Sequence, residues 1–450
     1  MSEALPTAMV ARLTRLAGDL HQWAQAHPDV PLAEQEQAVL GLVRSALPDL
    51  LAAVLSVCTS ALRWPSGGHP QSCPRCARRW GSQDWRRRRV LTVCGPIAFT
   101  RPYHYCRHCH VGWAPADAGL ALGPYERLSD GLRAWVVELG ATTAFRQAAG
   151  LLTRLTGLTV AAETVRRQTE GFGAHLEAAQ QAVIARVAQT REPAEALDRA
   201  PGLLVVETDG VMVRYVDGWH EVKLGGVGGH QAGKTRALSY VAARHPPLAD
   251  GPRLLAEAAR RGALEVVGWQ GPVTGRGLAH LRPVTVIGDG AHWICNLAAD
   301  HFGERTEVVD FYHAGEHVWD VAKALYGEGS AEATTWAHDR IEELSEQGAD
   351  PVLAAVRQVH PATAAAAEVV RRERGYFVTN RTRMAYPSFR AQGIPLGSGA
   401  IESGAKHVVQ LRMKRPGARW SEAGGQGVLM VRTHLLSGRP LVRSPAPTAA

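Results

Sequence analysis

The stretch Leu203-Leu-Val-Val-Glu-Thr-Asp209-Gly-Val-Met-Val-Arg-Tyr215 decides the fold. Four apolar residues run into Glu207, Thr208 and Asp209, and apolar positions resume beyond Gly210 with period two. Short Val-rich runs read as strands, buried on both faces where alternation is missing. We therefore expect a strand at Leu203–Glu207, a turn at Thr208-Asp209-Gly210, and a meander through Val211–Tyr215 and Trp219–Leu224, with Ala237–Ala242 a further strand. The signature recurs twice downstream. Val284–Gly288 ends in Asp289-Gly290 before a helix from about His292 to Phe302, and Glu307–Val309 ends in Asp310-Phe311-Tyr312-His313. Strands alternating with helices collect their chemistry at the C-terminal edge of the sheet. Asp209, Asp289 and Asp310 are expected there together.

Working outward, Gly397-Ser-Gly-Ala-Ile-Glu402-Ser-Gly404 opens a helix that continues through Lys406 to Met413. Glu402 stands in its first turn, which suits the helix dipole and also lets the carboxylate aim at the sheet. Lys406, Arg412, Lys414, Arg415 and Arg419 follow as a basic track. Carboxylates beside cations suit a phosphate ligand with a divalent metal. Between Asp310 and Glu402, Val318–Leu325, Ala331–Gln347 and Val352–Arg374 read as helices, so 314–395 reads mostly as helix. One motif competes. Gly228-Gly-His-Gln-Ala-Gly233-Lys234-Thr235 fits the phosphate-loop pattern, but that motif needs a following helix, and Arg236–Ala242 reads as a strand. A hairpin loop is the better reading.

Upstream, Cys73-Pro-Arg-Cys76 and Cys106-Arg-His-Cys109 are two CxxC knuckles. Two such turns can present four sulfurs to one tetrahedral zinc. Val90–Val93 and Ile97–Tyr103 lie between them as strand candidates around Cys94-Gly-Pro96, the layout of a zinc ribbon. His104, His108 and His110 are substitute ligands, a redox CxxC is the alternative, and Cys58 and Cys94 read as ordinary thiols. Arg86, Arg87, Arg88 and Arg89 lie on this module and suit phosphate contacts.

Residues 8–62 have helical periodicity broken at Pro28 and Pro31, and 126–190 are again helical. Phe145–Leu155, Thr156-Gly-Leu158 and Val160–Thr169 form a helix-turn-helix candidate with Thr159 as N-cap and Arg166 and Arg167 available to a groove. A plain αα-hairpin fits the same pattern. Thr190–Pro201 reads as a linker.

The chain of 450 residues carries a net charge of +8. Residues 61–110 hold 10 Lys and Arg against 1 acid, 371–450 hold 14 against 3, and the intervening 201–370 hold 14 against 22. Two basic blocks around an acidic centre suit a polyanion. The composition excludes collagen-like, disordered and disulfide-dense secreted classes. No signal peptide is read at Met1–Ala11, and no apolar run is read as approaching the roughly 18 residues of a membrane span. A soluble intracellular protein with reduced cysteines is expected.

Glu207-Thr-Asp-Gly210, Trp219-His-Glu-Val-Lys223, Gly288-Asp-Gly-Ala-His-Trp293, Val309-Asp-Phe-Tyr-His313 and Gly397-Ser-Gly-Ala-Ile-Glu-Ser403 together resemble DDE transposases of bacterial insertion sequences, more narrowly the ISKra-type group akin to Mutator-like enzymes. The resemblance covers most of the chain and is densest over 203–436. It implies a multidomain α+β protein: a helical N-terminal region (1–63), a zinc ribbon (64–118), a helical region with the helix-turn-helix candidate (119–200), and a ribonuclease H-like α/β catalytic core (201–313 and 396–440) interrupted by the helical insertion (314–395). It implies a catalytic and metal-binding triad of Asp209, Asp289 and Glu402 using two Mg²⁺ (or Mn²⁺), with Zn²⁺ structural at Cys73, Cys76, Cys106 and Cys109. Asp310 and His313 match an accessory Asp/Cys-x-x-His signature, and Trp420 falls in the family's closing segment. Cys295 stands where an aromatic residue is expected. The implied partners are DNA, as terminal repeats and target, and a homodimer or higher oligomer on paired ends. The implied setting is the bacterial cytoplasm at the nucleoid, without a membrane. A catalytically inactive DNA-binding regulator is the alternative.

Overall fold

The computed structural model describes residues 7–58, 72–80, 82–190, 202–244, 250–260, 264–266, 279–281 and 283–441. The chain is a multidomain α+β protein with two compact units, one built on Met1–Gly140 and Phe145–Gln168, the other on Thr169–Pro440.

The first unit opens with helices α1 (Thr7–Ala26) and α2 (Leu32–Cys58), separated at Pro28 and Pro31 as expected. Over Leu32–Val57, α2 is long and apolar enough to cross a membrane by length and composition alone, which corrects the expectation that no such run exists. Its Leu51 and Leu55 pack against Val90, Ile97 and Leu122. An antiparallel sheet follows, β1 (Ser82–Thr92), β2 (Gly95–Cys106) and β3 (Val111–Trp113) in order β1-β2-β3. The strands are longer than their apolar centres because β1 includes the run Arg86–Arg89, of which Arg86, Arg87 and Arg89 are exposed, a pattern hydropathy alone does not extend. Helices α3 (Pro115–Gly119), α4 (Asp130–Thr142) and α5 (Phe145–Thr156) complete the unit with the start of α6 (Ala162–Thr190). Leu132, Val136, Leu152 and Val165 form the core of the α4–α6 region. Helix α6 starts at Ala162, so Thr159 is not its N-cap, and it runs far past the expected Thr169. Residues 191–201, most of the expected linker, lie outside the described residues.

The second unit is centred on a five-stranded mixed sheet. Its strands are β4 (Leu203–Tyr215), β5 (Gly218–Gln231), β6 (Lys234–Ala243), β9 (Val284–Gly288) and β10 (Arg305–Val309), in order β10-β9-β4-β5-β6. The first three form an antiparallel meander, while β9 and β10 run parallel to β4. A small pair, β7 (Leu264–Val266) and β8 (Ala279–Leu281), lies between. Leu204, Val206, Val284 and Val286 face helices α7 (Asp250–Arg260) and α8 (His292–His301). Val205, Ile287 and Val309 face the opposite layer. Burial on both faces explains why β9 reads as a continuous apolar run.

The opposite layer is helical: α9 (Phe311–Tyr326), α10 (Ala331–Gln347), α11 (Ala349–Gln358), α12 (Ala364–Asn380), a 3₁₀ turn at Arg381–Met384, and α13 (Tyr386–Ala391). The insertion starts three residues before 314, and its last expected helix is two helices, interrupted near Pro361 because proline lacks the N–H that continues a helix. Helix α14 (Gly399–Gly404) then continues through a π-helical turn, Ala405–Gln410, into α15 (Leu411–Met413). Helix α16 (Glu422–Leu436) closes the unit.

Two sequence readings meet the structure directly. The phosphate-loop pattern is a two-residue hairpin turn: Ala232 and Gly233 have φ of 51° and 73°, the type I′ requirement. Second, β4 does not turn at Asp209 but runs unbroken to Tyr215, because every residue from Leu203 to Tyr215 has a partner on β5.

Candidate functional site

The first cluster is built from two tight turns. Around Cys73, the Cys73 N–H donates to Arg78 O and the Ala77 N–H to Cys73 O, both at 2.8 Å, folding the first knuckle. The second joins β2 to β3. Together they bring the sulfurs of Cys73, Cys76, Cys106 and Cys109 within 4.8 Å of one another, with Cys73–Cys109 at 3.5 Å and Cys76–Cys106 at 3.6 Å. Metal–sulfur bonds of ~2.3 Å in a tetrahedron give edges of about 3.8 Å. The four cysteines could therefore hold a metal ion. The Cys109 backbone N–H is the main influence drawing the Cys106 thiol down to about 6, toward the thiolate a metal needs. The histidines are elsewhere engaged: His104 packs against both Trp80 and Trp113, which stack on each other, His108 Nδ1 meets Arg78, and His110 Nδ1 meets the Tyr105 hydroxyl.

The second cluster lies where β9 and β10 end. Glu207 is opposite Ile287, so the register carried two residues further places Asp209 level with Asp289. Val309 is opposite Gly288, which sets Asp310 beside Asp289. Burial, and then the neighbouring Asp289, raise the carboxyl of Asp209 above its ordinary range. Asp289 accepts the Ala291 N–H at 2.8 Å, and the Tyr376 hydroxyl holds the Asp289 carbonyl at 2.9 Å. A cavity of 350 Å³ opens beside it, lined by His292, His313, Tyr376 and Asn380.

Asp310 is buried and caps α9, one oxygen accepting the Tyr312 and His313 N–H groups at 2.7 and 3.0 Å. Its other oxygen accepts both the backbone N–H and the hydroxyl of Ser398. His313 thus steadies Asp310 through its backbone, while its ring faces Glu316 and His317. Ser398 precedes α14 and reaches Glu402 at 3.4 Å. Glu207, 2% exposed, accepts the Ile401 N–H at 2.7 Å. Burial raises its carboxyl to about 7, and the charges of Asp310 and Glu402 push the same way. The helix bearing Glu402 is therefore fastened to the sheet by two other carboxylates.

In kind, these carboxylates are the hard oxygen donors that Mg²⁺ takes. Asp209, Asp289 and Glu402 do not all come within 4.8 Å of one another. Among the described residues, the cysteines alone form a group of three or more that does.

The predicted basic residues divide. Arg86, Arg87 and Arg89 are exposed, with Arg86 over the Tyr103 ring at 3.9 Å. Arg88 points inward, bonded to Asp117 at 2.6 Å and to the Gly123 and Glu126 carbonyls, so it is a structural ion pair and not a surface contact. Arg412 is likewise buried over Trp420 at 4.7 Å, and burial lowers its guanidinium to about 10. Lys406, Lys414 and Arg419 are exposed and Arg415 half-buried. Arg166 pairs with Glu163 at 2.6 Å, and Arg167 is exposed.

Sequence reasoning passed over Glu207, Ser398 and Tyr376. Glu207 had a signal, since a residue two before Asp209 shares its strand face. Tyr376 had none, because it reaches Asp289 from 87 residues away.

Residues 69–225 match an uncharacterised protein family, UPF0236. The matched segment spans the cysteine cluster and Asp209, and ends before Asp289 and Glu402. No curated protein matches the chain.

Proposed function

We propose that this protein is a DDE transposase that cleaves DNA strands at the ends of an insertion sequence and joins them to target DNA. The observation that carries the reading is the row of Asp209, Asp289 and Asp310 across three adjacent strands, with Glu402 brought to it on a helix pinned by Asp310 and Glu207. A meander followed by two parallel strands, with the first meander strand central, supports a ribonuclease H-like core. The four-cysteine cluster supports a zinc ribbon as a structural module.

In this reading, Asp209, Asp289 and Glu402 would hold two divalent ions, which supply activation of the attacking hydroxyl and stabilisation of the leaving oxygen. Everything else is work for the chain's own side chains. Asp310, through Ser398, and Glu207, through the Ile401 N–H, fasten the start of the Glu402 helix to the sheet, which limits how far its carboxylate must move to share an ion with the others. Tyr376 fixes the backbone at Asp289. Exposed cations at Arg86, Arg87, Arg89, Arg167, Lys406, Lys414 and Arg419 contribute phosphate contacts, whose strength falls with salt. Two chains on paired ends complete the proposed assembly.

The test is cleavage and joining of oligonucleotides carrying the element's termini, with Mg²⁺. Asp209→Asn, Asp289→Asn and Glu402→Gln are each expected to lose both reactions while keeping DNA binding. Full cleavage by a folded Asp289→Asn protein would sink the assignment. A regulator derived from such an enzyme would bind the same ends and cleave none, so the unaltered protein separates the two.

A further inference from the structure

Beyond Glu207, β4 leaves its parallel neighbour and pairs with β5 alone. At the end of this hairpin Arg214 and Trp219 are opposite one another on its exposed side, with Arg214 5.9 Å from the Trp219 ring centre. A second loop comes up beside them. Arg415-Pro416-Gly417-Ala418 is a type II turn: the Ala418 N–H donates to Arg415 O at 3.0 Å, proline stands second, and Gly417 third with φ +76°. Buried Trp420 fastens this loop at both ends. Its indole donates to Met413 O at 3.1 Å, its carbonyl accepts the Val216 N–H at 2.9 Å, and its own N–H donates to Arg214 O at 3.4 Å.

The two loops enclose a notch of 280 Å³ lined by Arg214, Trp219, Lys414, Arg415 and Arg419, and among the described residues no carboxylate lines it. Trp219 stays 56% exposed there, an aromatic face held in water beside four cations. Cations alone would suit any phosphate. An aromatic platform among them suits a phosphate that carries a base, because bases stack on indole whatever their identity. A notch of this size suits a single nucleotide better than a duplex.

We propose that this notch binds a single unstacked nucleotide of a DNA strand, the base on Trp219 and its flanking phosphates on Arg214, Lys414 and Arg419. This rests on the DNA reading above and adds a preference for frayed or overhanging ends. Both loops are tied, so the site is formed before the strand arrives and little ordering opposes binding.

Fluorescence anisotropy of the full chain tests it with three probes: a blunt duplex, the same duplex with a single-stranded overhang, and the overhang sequence as RNA. Tighter binding of the overhang duplex is expected. Trp219→Ala should weaken overhang binding on the order of 10-fold and leave the blunt duplex unchanged, with Trp219→Phe restoring most of the loss. The proposal is overturned if Trp219→Ala keeps the overhang preference, if it weakens both duplexes equally, or if RNA is bound in preference to DNA. Failure of the unaltered protein to bind any duplex would count against the DNA reading itself. Duplex binding without an overhang preference counts against the notch alone.

Discussion

Replacing Glu207 by Gln should make the protein more stable at alkaline pH and leave it nearly unchanged at acid pH. Glu207 is 2% exposed, and burial sets its carboxyl at about 7 against an ordinary 4.5. An acid whose pKa is higher when folded binds its proton more tightly in the native state. Its contribution is therefore fully present below the unfolded value and is lost as pH rises through the folded one. At about 1.4 kcal/mol per pH unit, the loss between the two values is about 3 kcal/mol. Gln keeps an oxygen to accept the Ile401 N–H, bonded at 2.7 Å in the parent, and cannot ionise. Denaturant unfolding of parent and variant from pH 4.5 to 8.5, followed by circular dichroism, gives the difference directly. It should stay within about 1 kcal/mol at the acid end and widen to about 3 kcal/mol in favour of the variant by pH 8. A difference that stays flat across the window, or one that favours the parent at pH 8, would refute the account of a strained buried carboxylate.

Two further outcomes follow from the first unit. The purified protein should carry one zinc per chain, and Cys76→Ser should abolish it and lower the melting temperature of that unit; full metal content in Cys76→Ser would show that the cysteines are not the ligands. Arg88 and Arg87 should behave oppositely: Arg88→Ala leaves Asp117 paired with Arg101 but removes the donor to the Gly123 and Glu126 carbonyls, and should cost about 1–3 kcal/mol in stability. Arg87→Ala should stay within about 0.5 kcal/mol and instead weaken DNA binding with a reduced salt slope, and equal stability losses would contradict the inward and outward assignments.

Much of the fold was legible because its signals are local. The knuckles, the proline break between α1 and α2, and helix Ala331–Gln347 follow from spacing, capping and period, and Ser330 does accept the Ala333 N–H as an N-cap. The interruption near Pro361 is also a local signal, since proline cannot continue a helix. What could not be read were distances between remote segments. A strand that outruns its parallel neighbour looks like two strands and a turn, since polar Thr208, Asp209 and Gly210 break the apolar run without breaking the ladder. Arg88 looks like its three neighbours in sequence. It is buried because Asp117 and the Gly123 and Glu126 carbonyls, all from other elements, meet its guanidinium. The same limit hid the roles of Glu207 and Ser398, whose partners are 194 and 88 residues away.

The paired bonds of Asp310 carry a consequence of their own. The chain leaves the sheet at this residue and returns at Ser398, and the Phe311 N–H also meets Leu396 O at 2.8 Å. Departure and return are thus stitched together at one point, like the neck of a drawn purse. Closing a longer excursion costs only slowly more entropy, and here the closure is made at the neck and not along the excursion. Lengthening the distal turns, such as Gly327–Ser330 between α9 and α10, therefore leaves the spacing of Asp310 and Glu402 untouched. The architecture separates the size of the helical layer from the precision of the edge beneath it, so one can be lengthened while the other stands still.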